Sequence, residues 1–170
     1  YSECKQWRAE VLDQLVAERP KLVVVDMSRR YGADFGFVAY DQTWLHGLTD
    51  LVTELRTTTG ARVLVLGAAP DPHSVVPVCL SGHLDDALAC APDRTTALNA
   101  AGLAAEAAAT RAGGGQYADL SELFCAAQRC PVIVGRDLVF RDDNHITVSY
   151  AATLGPVIGM LADQAIAPAS

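Results

Sequence analysis

An acid–base pair stands out near the end of the sequence, in the run Arg141-Asp142-Asp143-Asn144-His145-Ile146. Asp142 precedes His145 by three residues, a spacing that lets a carboxylate hold one nitrogen of the imidazole ring. Such a contact fixes the tautomer and stabilises the imidazolium that forms when the other nitrogen takes a proton. The spacing therefore predicts a general base, His145, oriented by Asp142. A structural role is the alternative, because Asp142, Asp143 or Asn144 would also cap a helix that follows.

Three further polar residues follow apolar runs that are typical of buried strands. Ser28 and Arg29 come after Lys21 to Met27, and His73 lies in the loop after Arg62 to Leu66. Parallel α/β sheets bind their ligands at the carboxyl ends of the strands. We therefore predict that Ser28, Arg29 and His73 contact substrate, with Arg29 holding an anionic or sugar group. Solvated surface positions are the alternative. Ser28 is a poor nucleophile candidate, because no sharp Gly-x-Ser-x-Gly turn surrounds it.

The cysteine pattern predicts two local disulfides. Cys79 and Cys90 bracket one short acidic loop, and Cys125 and Cys130 bracket a second short loop. Disulfides of this kind are typical of proteins outside the cytoplasm, whereas five reduced cysteines in a cytosolic protein are the alternative. Cys4 is left over, and an odd cysteine in an exported protein indicates a partner elsewhere, which we expect in sequence before Tyr1.

The cysteines and histidines do not predict a metal site. None of the cysteines forms a Cys-x-x-Cys pair, and no histidine has a zinc-like spacing from two of them. His83 with Asp85 and Asp86 fits a solvated loop better than a metal-binding one. We therefore expect no metal in the protein.

Composition limits the class of protein. The 170 residues are 51% hydrophobic and 19% charged, which predicts one globular domain over residues 1–170. The net charge of −7 argues against nucleic acid as a partner, since a general binder presents a basic face. The apolar stretch from Ile146 to Ala162 contains polar residues and a Gly155-Pro156 break, so we interpret it as a buried helix and not as a membrane span.

Alternating helices and strands must position these residues. Hydrophobic periodicity predicts helices at 3–18, 41–59, 94–112 and 146–162, strands at 21–27, 62–66 and 116–120, and a small hairpin at 131–134 and 138–140. This order predicts a three-layer α/β fold with a parallel sheet. Because the chain opens on a helix that ought to follow a first strand, we expect that strand before Tyr1.

The Asp142-Asp143-Asn144-His145-Ile146 block resembles the last block of the SGNH/GDSL hydrolases, where Asp-x-x-His supplies the acid and the base of a triad. The wider sequence resembles the extracytoplasmic SGNH domain at the C-terminus of acyltransferase-3 membrane proteins. This second likeness rests on three stretches: Cys4 to Trp7 with Arg19 to Val25; Pro70 to Pro72 with Val76 to Cys90; and Cys125 to Ile133, running into Asp142 and His145.

The resemblance implies a fold and a site. The fold is the three-layer α/β/α SGNH fold, which is flavodoxin-like, and the chemistry is acyl transfer through a serine ester, with His145 as base and Asp142 as its orienting acid. The family's nucleophile lies in a Gly-Asp-Ser block at the end of the first strand, and no Gly-Asp-Ser occurs in this sequence. We therefore expect that serine, and a cysteine that pairs with Cys4, before Tyr1.

The resemblance also implies a setting. It predicts an O-acyltransferase or esterase domain that acts on envelope glycans or glycolipids, needs no cofactor and receives acyl groups from a membrane acyltransferase domain. The domain would be extracytoplasmic, periplasmic or at the cell surface, and tethered to the membrane in the full-length protein. A non-catalytic SGNH-like module that binds carbohydrate or a partner is the alternative.

Overall fold

A computed structural model of the chain describes residues 2–30 and 38–167. Most of the loop predicted after the first strand, residues 31–37, lies outside the described residues. The elements follow one another as α1 (Ser2–Glu18), β1 (Leu22–Val25), α2 (Gln42–Thr59), β2 (Arg62–Leu66), α3 (Val76–Ser81), a 3₁₀ helix (Ala87–Cys90), α4 (Arg94–Ala97), α5 (Ala100–Ala112), β3 (Gln116–Ala118), α6 (Ser121–Phe124), β4 (Ile133–Val134), β5 (Asp137–Leu138) and α7 (Val148–Ile166).

The described residues group into two compact units, each assembled from separate stretches of chain. Unit 1 takes its residues from Tyr1–Gly67, Ala104–Ala118 and Leu161–Ser170, and unit 2 from Ala68–Leu103 and Asp119–Met160. The single domain predicted over residues 1–170 stays a prediction, because hydrophobic periodicity locates elements but does not reveal how they group.

Unit 1 is built on a parallel sheet in the order β1-β2-β3. Leu22 pairs with Arg62 at one end of the β1–β2 ladder, and Leu64 pairs with Gln116 in the β2–β3 ladder. β1 and β2 are short and rich in Val and Leu, and β3 consists of Gln116, Tyr117 and Ala118. The predicted α/β class and the parallel sheet are confirmed.

The core of unit 1 lies between α2 and the sheet. Its buried members recur at helical spacing along α2 and at alternate positions of β2: Trp44, Leu48, Val52, Leu55, Val63 and Val65. Gly60 ends α2 in the left-handed conformation at φ 73°, which glycine adopts without steric cost. Gly113 permits a close approach after α5, because a Cβ there would lie 2.7 Å from the Thr49 carbonyl oxygen.

Unit 2 contains the short helices and a two-stranded antiparallel hairpin, β4–β5. Its aromatic core includes Phe124, whose ring centroid lies 5.6 Å from that of Tyr150 and 6.5 Å from that of Phe140. All three side chains are at most 3% exposed. The Tyr150 hydroxyl donates to the Leu123 carbonyl, which satisfies the one polar atom of this cluster.

Two predicted segments differ from the structure. The helix predicted over 94–112 is split into α4 and α5, because Leu98 is extended and the Asn99 side chain accepts a hydrogen bond from the Gly102 N–H at 2.9 Å. Asparagine at this position starts a new helix. The region 74–92, where the sequence predicts no helix or strand, contains α3, which begins with Val76 and Pro77, and the 3₁₀ helix. The Asp86 side chain accepts a hydrogen bond from the Leu88 N–H of that 3₁₀ helix.

The closing helix α7 runs through Gly155 and Pro156 without the expected break. Among the residues that the structure describes, no helix has both the length and the hydropathy that a membrane crossing requires.

Candidate active site

Backbone hydrogen bonds join the two ends of the turn that carries Asp142 and His145. Thr147 N–H donates to the Val139 carbonyl and Arg141 N–H to the His145 carbonyl, each at 2.9 Å. Val139 and Phe140, which precede the turn, are at most 2% exposed. The residues that flank the turn are therefore buried and hydrogen-bonded, and they hold residues 141–145 as a loop at the surface of unit 2.

Asp142 and His145 form the predicted pair. His145 Nδ1 lies 2.7 Å from Asp142 Oδ2, so a carboxylate oxygen accepts the hydrogen of Nδ1. The His145 side chain is 61% exposed, whereas that of Asp142 is 35% exposed. No hydrogen bond reaches Nε2 of His145 from the described residues. A neutral imidazole that donates through Nδ1 has its lone pair on Nε2, which is the atom that a general base uses.

The loop holds the Asp142 carboxylate in its charged form. Backbone N–H groups of His145 and Asn144 donate to Asp142 Oδ1 at 2.6 Å and 2.9 Å. These two backbone hydrogen bonds, followed by the contact with the His145 ring, lower the pKa of Asp142 well below its usual range. Asp142 is thus an acceptor that stays ionised while His145 gains or loses a proton.

The alternative helix-capping role does not apply to Asp142, Asp143 or Asn144. Helix α7 begins at Val148, and Thr147 caps it, since Thr147 Oγ1 accepts from the Tyr150 N–H at 3.1 Å. The donors to Asp142 belong to the turn and not to the helix. Asp142 therefore shapes the turn that presents His145.

The loop is also tied to the segment after β2. Val76 N–H, at the start of α3, donates to the Asp142 carbonyl oxygen at 3.3 Å. His73, three residues before Val76, is exposed and contacts two nearby protein groups. Its Nε2 lies 3.0 Å from the Thr96 carbonyl oxygen, and its backbone N–H donates to Asp71 at 2.8 Å. The substrate contact predicted for His73 stays a prediction.

Ser28 and Arg29 belong to unit 1, directly after β1. Ser28 is exposed, and its hydroxyl accepts from the Arg30 N–H at 3.2 Å. The Arg29 side chain is only 9% exposed and donates to protein groups: Glu106 at 2.6 Å, the Leu66 carbonyl at 2.5 Å, Asp26 at 3.1 Å and the Met27 carbonyl. A substrate anion would have to displace these acceptors. Arg29 thus joins the segment after β1 to the carboxyl end of β2, and the substrate contacts predicted for Ser28 and Arg29 stay predictions.

Glu106 and Tyr117 complete this cluster, and neither was predicted from the sequence. Glu106 is fully buried in α5, and Tyr117 donates its hydroxyl to Glu106 Oε2 at 3.1 Å. Burial raises the pKa of the Glu106 carboxyl, and the Arg29 guanidinium opposes that rise. Burial and the Glu106 charge raise the pKa of Tyr40 to about 12. The position of Glu106 among the alanines of α5 was the one feature of the sequence that could have indicated a buried acid.

Both predicted disulfides are present in unit 2, Cys79–Cys90 and Cys125–Cys130. Cys4 is exposed and forms no disulfide within the described residues, so its proposed partner stays a prediction. The sequence predicted no metal-ligating role for His83, and that stays a prediction. His83 Nδ1 lies 3.9 Å from the sulfur of Cys79 and 3.9 Å from that of Cys90, because α3 and the 3₁₀ helix fold these residues together.

Comparison with solved structures supports the fold. The periplasmic domain of a lipopolysaccharide acetyltransferase from Salmonella ser. Paratyphi A matches with a TM-score of 0.66 and 17% sequence identity, over 86% of this chain. The chain spans 60% of the length of that structure's chain. Comparison with functionally curated proteins finds no significant match.

Comparison with family models identifies the family. The model of the SGNH domain (fused to AT3 domains) matches residues 1–159, which include both disulfides and the Asp142–His145 turn. The parallel sheet flanked by helices is the fold that this family predicts. The chain belongs to the family of SGNH domains that are fused to AT3 domains.

Proposed function

We propose that this chain supplies the acid and the base of a serine-ester acyltransferase or esterase that acts on glycans or glycolipids of the cell envelope. The observation that carries the proposal is the 2.7 Å contact between His145 Nδ1 and Asp142, with Nε2 left open on an exposed ring. The nucleophile would be a serine in a Gly-Asp-Ser block on a segment of the full-length protein outside the printed 170 residues, since none occurs within them.

In this mechanism His145 Nε2 removes the proton from the serine hydroxyl as the serine oxygen attacks the acyl carbonyl. The donor's alcohol or thiol then leaves with a proton from the imidazolium, and a serine ester remains. In the second half, His145 takes a proton from the acceptor hydroxyl or from water, which attacks that ester and regenerates the serine. Asp142 stabilises the imidazolium in both halves, and its lowered pKa keeps it charged throughout.

Three observations support the envelope setting. Family membership supports a membrane acyltransferase domain as the source of acyl groups. The two disulfides support an oxidising, extracytoplasmic compartment. The similar solved structure is a lipopolysaccharide acetyltransferase domain, which supports a glycolipid or glycan acceptor.

Substitution of His145 in the full-length protein tests the proposal. We expect His145→Ala to reduce ester cleavage or acyl transfer by about 10²–10⁴-fold, the usual contribution of a general base. His46→Ala, which alters an exposed histidine of α2, is the matched control and should leave activity unchanged. Equal activity of the two variants would exclude the catalytic assignment.

The missing Gly-Asp-Ser favours a second candidate, a non-catalytic module that binds an envelope carbohydrate or holds a partner. The two functions differ in a simple measurement. A catalytic domain forms a covalent acyl-enzyme with an ester substrate in the full-length protein, whereas a binding module retains carbohydrate without turnover and does so equally well after His145→Ala.

A further inference from the structure

A cavity of about 390 Å³ lies in unit 1 at the amino ends of β2 and β3, and the acyl transfer proposed above does not use it. Arg56, Arg62 and Gln116 supply its polar side chains, and the other four lining residues are glycine, alanine or valine. None of the lining residues carries a carboxylate. In a protein with a net charge of −7, the cavity is therefore a local concentration of positive charge.

The turn between α2 and β2 places both arginines at this cavity. Arg56 lies in the last turn of α2, Gly60 ends that helix, and Arg62 is the first residue of β2. Parallel pairing of β2 with β3 brings Gln116, the first residue of β3, to the same end of the sheet. A Cβ at Gly60 would meet no atom within 4 Å, so the turn leaves open space where a ligand can lie.

The two guanidinium groups keep hydrogen-bond donors for a ligand. Arg56 Nη1 donates to the Gly113 carbonyl at 3.1 Å, and this group packs on Gly114, where a Cβ would overlap the same nitrogen. These contacts hold Arg56 in place and use one of its five N–H donors. Arg62 is exposed, and within the described residues its side chain has no ion pair or hydrogen bond.

We propose that this cavity binds a phosphate monoester whose organic part carries hydroxyl groups. Guanidinium groups bind phosphate through paired N–H donors, and two of them match the charge of a dianion. The cavity falls within the range of small-molecule sites, about 300–1,000 Å³, so it has room for more than a bare phosphate. The Gln116 amide donates to the Ala165 carbonyl at 3.1 Å, and its oxygen can accept from a ligand hydroxyl.

The carboxyl end of α2 opposes an anion at this place, because the last carbonyl groups of a helix carry partial negative charge. Arg56 lies in that last turn and offsets this charge. Arg62 follows the helix, so its charge is not used in this way. We therefore expect phosphate binding to depend on Arg62 more than on Arg56.

Calorimetric titration of the full-length protein with glucose 1-phosphate tests the proposal. We expect Arg62-dependent binding of one molecule per chain. Arg62→Gln should weaken it at least about tenfold, as expected for loss of a hydrogen-bonded charge, and Arg56→Gln by a smaller factor. Added NaCl should weaken binding, because salt screens exposed charges. Glucose, which has the hydroxyl groups but no charge, should bind at least about tenfold more weakly.

Arg111→Gln is the matched control. Arg111 is an exposed arginine in the last turn of α5 and does not line the cavity, so this variant loses the same charge but should keep its affinity. Circular dichroism of each variant detects a folding failure. Equal weakening in Arg62→Gln and Arg111→Gln, or binding that does not depend on Arg62, would overturn the proposal.

Two further titrations identify the source of the monoester. Dihexanoyl phosphatidic acid carries the same group on a lipid, whereas inorganic phosphate carries no organic part. Tighter Arg62-dependent binding of glucose 1-phosphate would assign the site to a sugar phosphate, and tighter binding of the lipid would assign it to a headgroup. Inorganic phosphate that binds more tightly than both would contradict a monoester site.

Discussion

Each unit contains one short contact between an acidic and a basic side chain. The two contacts have similar distances but differ in burial and in hydrogen bonding. Arg29 and Glu106 are 2.6 Å apart in unit 1, and Asp142 and His145 are 2.7 Å apart in unit 2. The first pair is buried, and the Arg29 guanidinium donates to four protein acceptors. The second is exposed on the His145 side and leaves one nitrogen open.

Burial determines how freely each pair can exchange protons. Charges removed from water must be paired and hydrogen-bonded, so Arg29, Glu106 and Tyr117 have little freedom to exchange protons or partners. His145 meets solvent, while Asp142 fixes only one of its nitrogens, so a proton can enter and leave at the other. The buried pair and the pair that we propose to be reactive therefore have similar distances and differ in their exposure to solvent.

Removal of the imidazole gives the largest expected difference between the pairs. His145→Ala should lower acyl transfer or ester cleavage in the full-length protein by about 10²–10⁴-fold. It should change the free energy of unfolding by no more than about 0.5 kcal/mol, as for most exposed substitutions. Enzyme assays and urea denaturation measure the two effects. A large loss of stability with little change in activity would reverse the roles given to the two pairs.

Glu106→Gln should show the opposite pattern. It removes the buried carboxylate that pairs with Arg29 and leaves only the exposed Asp26 carboxylate, and loss of a buried partner costs about 3–5 kcal/mol of unfolding free energy. Urea denaturation should reveal the loss. The control is Glu122→Gln, which also removes an acid paired with an arginine, but one that is 78% exposed. That control should cost less than about 1 kcal/mol. Equal losses in the two variants would mean that burial does not distinguish these pairs.

The lowered pKa of Asp142 can be measured by titration in acid. Because the folded-state pKa of Asp142 lies below the ordinary value of about 3.9, its stabilising contribution is complete above that value. The contribution is lost only as the pH falls through the lowered pKa. A carbon-detected NMR titration of the Asp142 carboxyl group should therefore show an inflection below about 3.9. An inflection at or above that value would contradict the hydrogen bonding described for the turn.

Tyr117→Phe should have the smallest effect. It removes one hydrogen bond to the buried Glu106 carboxylate and leaves the ion pair with Arg29 in place. A hydrogen bond to a charged group contributes about 1.5–3 kcal/mol, so the loss should be smaller than that of Glu106→Gln. Denaturation of the two single variants and of the double variant measures the coupling. Additive losses would mean that Tyr117 acts independently of Glu106.

The sequence predicted what depends on local spacing and missed what depends on long-range contact. Asp142 and His145 are three residues apart, so the chain itself brings them together. Arg29 and Glu106 are 77 residues apart, and only the packing of α5 beside the sheet joins them. The apolar runs at 21–27 and 62–66 predicted β1 and β2, because stretches rich in β-branched Val favour strands.

Local polar contacts account for the remaining errors. Asn99 interrupts a run of alanines that favours one helix, and its side-chain hydrogen bond starts a second one. His83 Nδ1 lies 3.9 Å from both sulfurs of the Cys79–Cys90 disulfide because α3 and the 3₁₀ helix fold together. The spacing of these residues along the sequence did not predict that proximity.

Covalent labelling of the full-length protein with a fluorophosphonate is the most direct measurement of the proposed acid–base pair, because this reagent reacts with a serine that a general base has activated. We expect one labelled serine, in a Gly-Asp-Ser sequence outside these 170 residues, with a labelling rate that falls about 10²–10⁴-fold in His145→Ala. Labelling at the same rate in His145→Ala, or labelling of Ser28, would contradict the assignment of Asp142 and His145 as the acid–base pair of that serine.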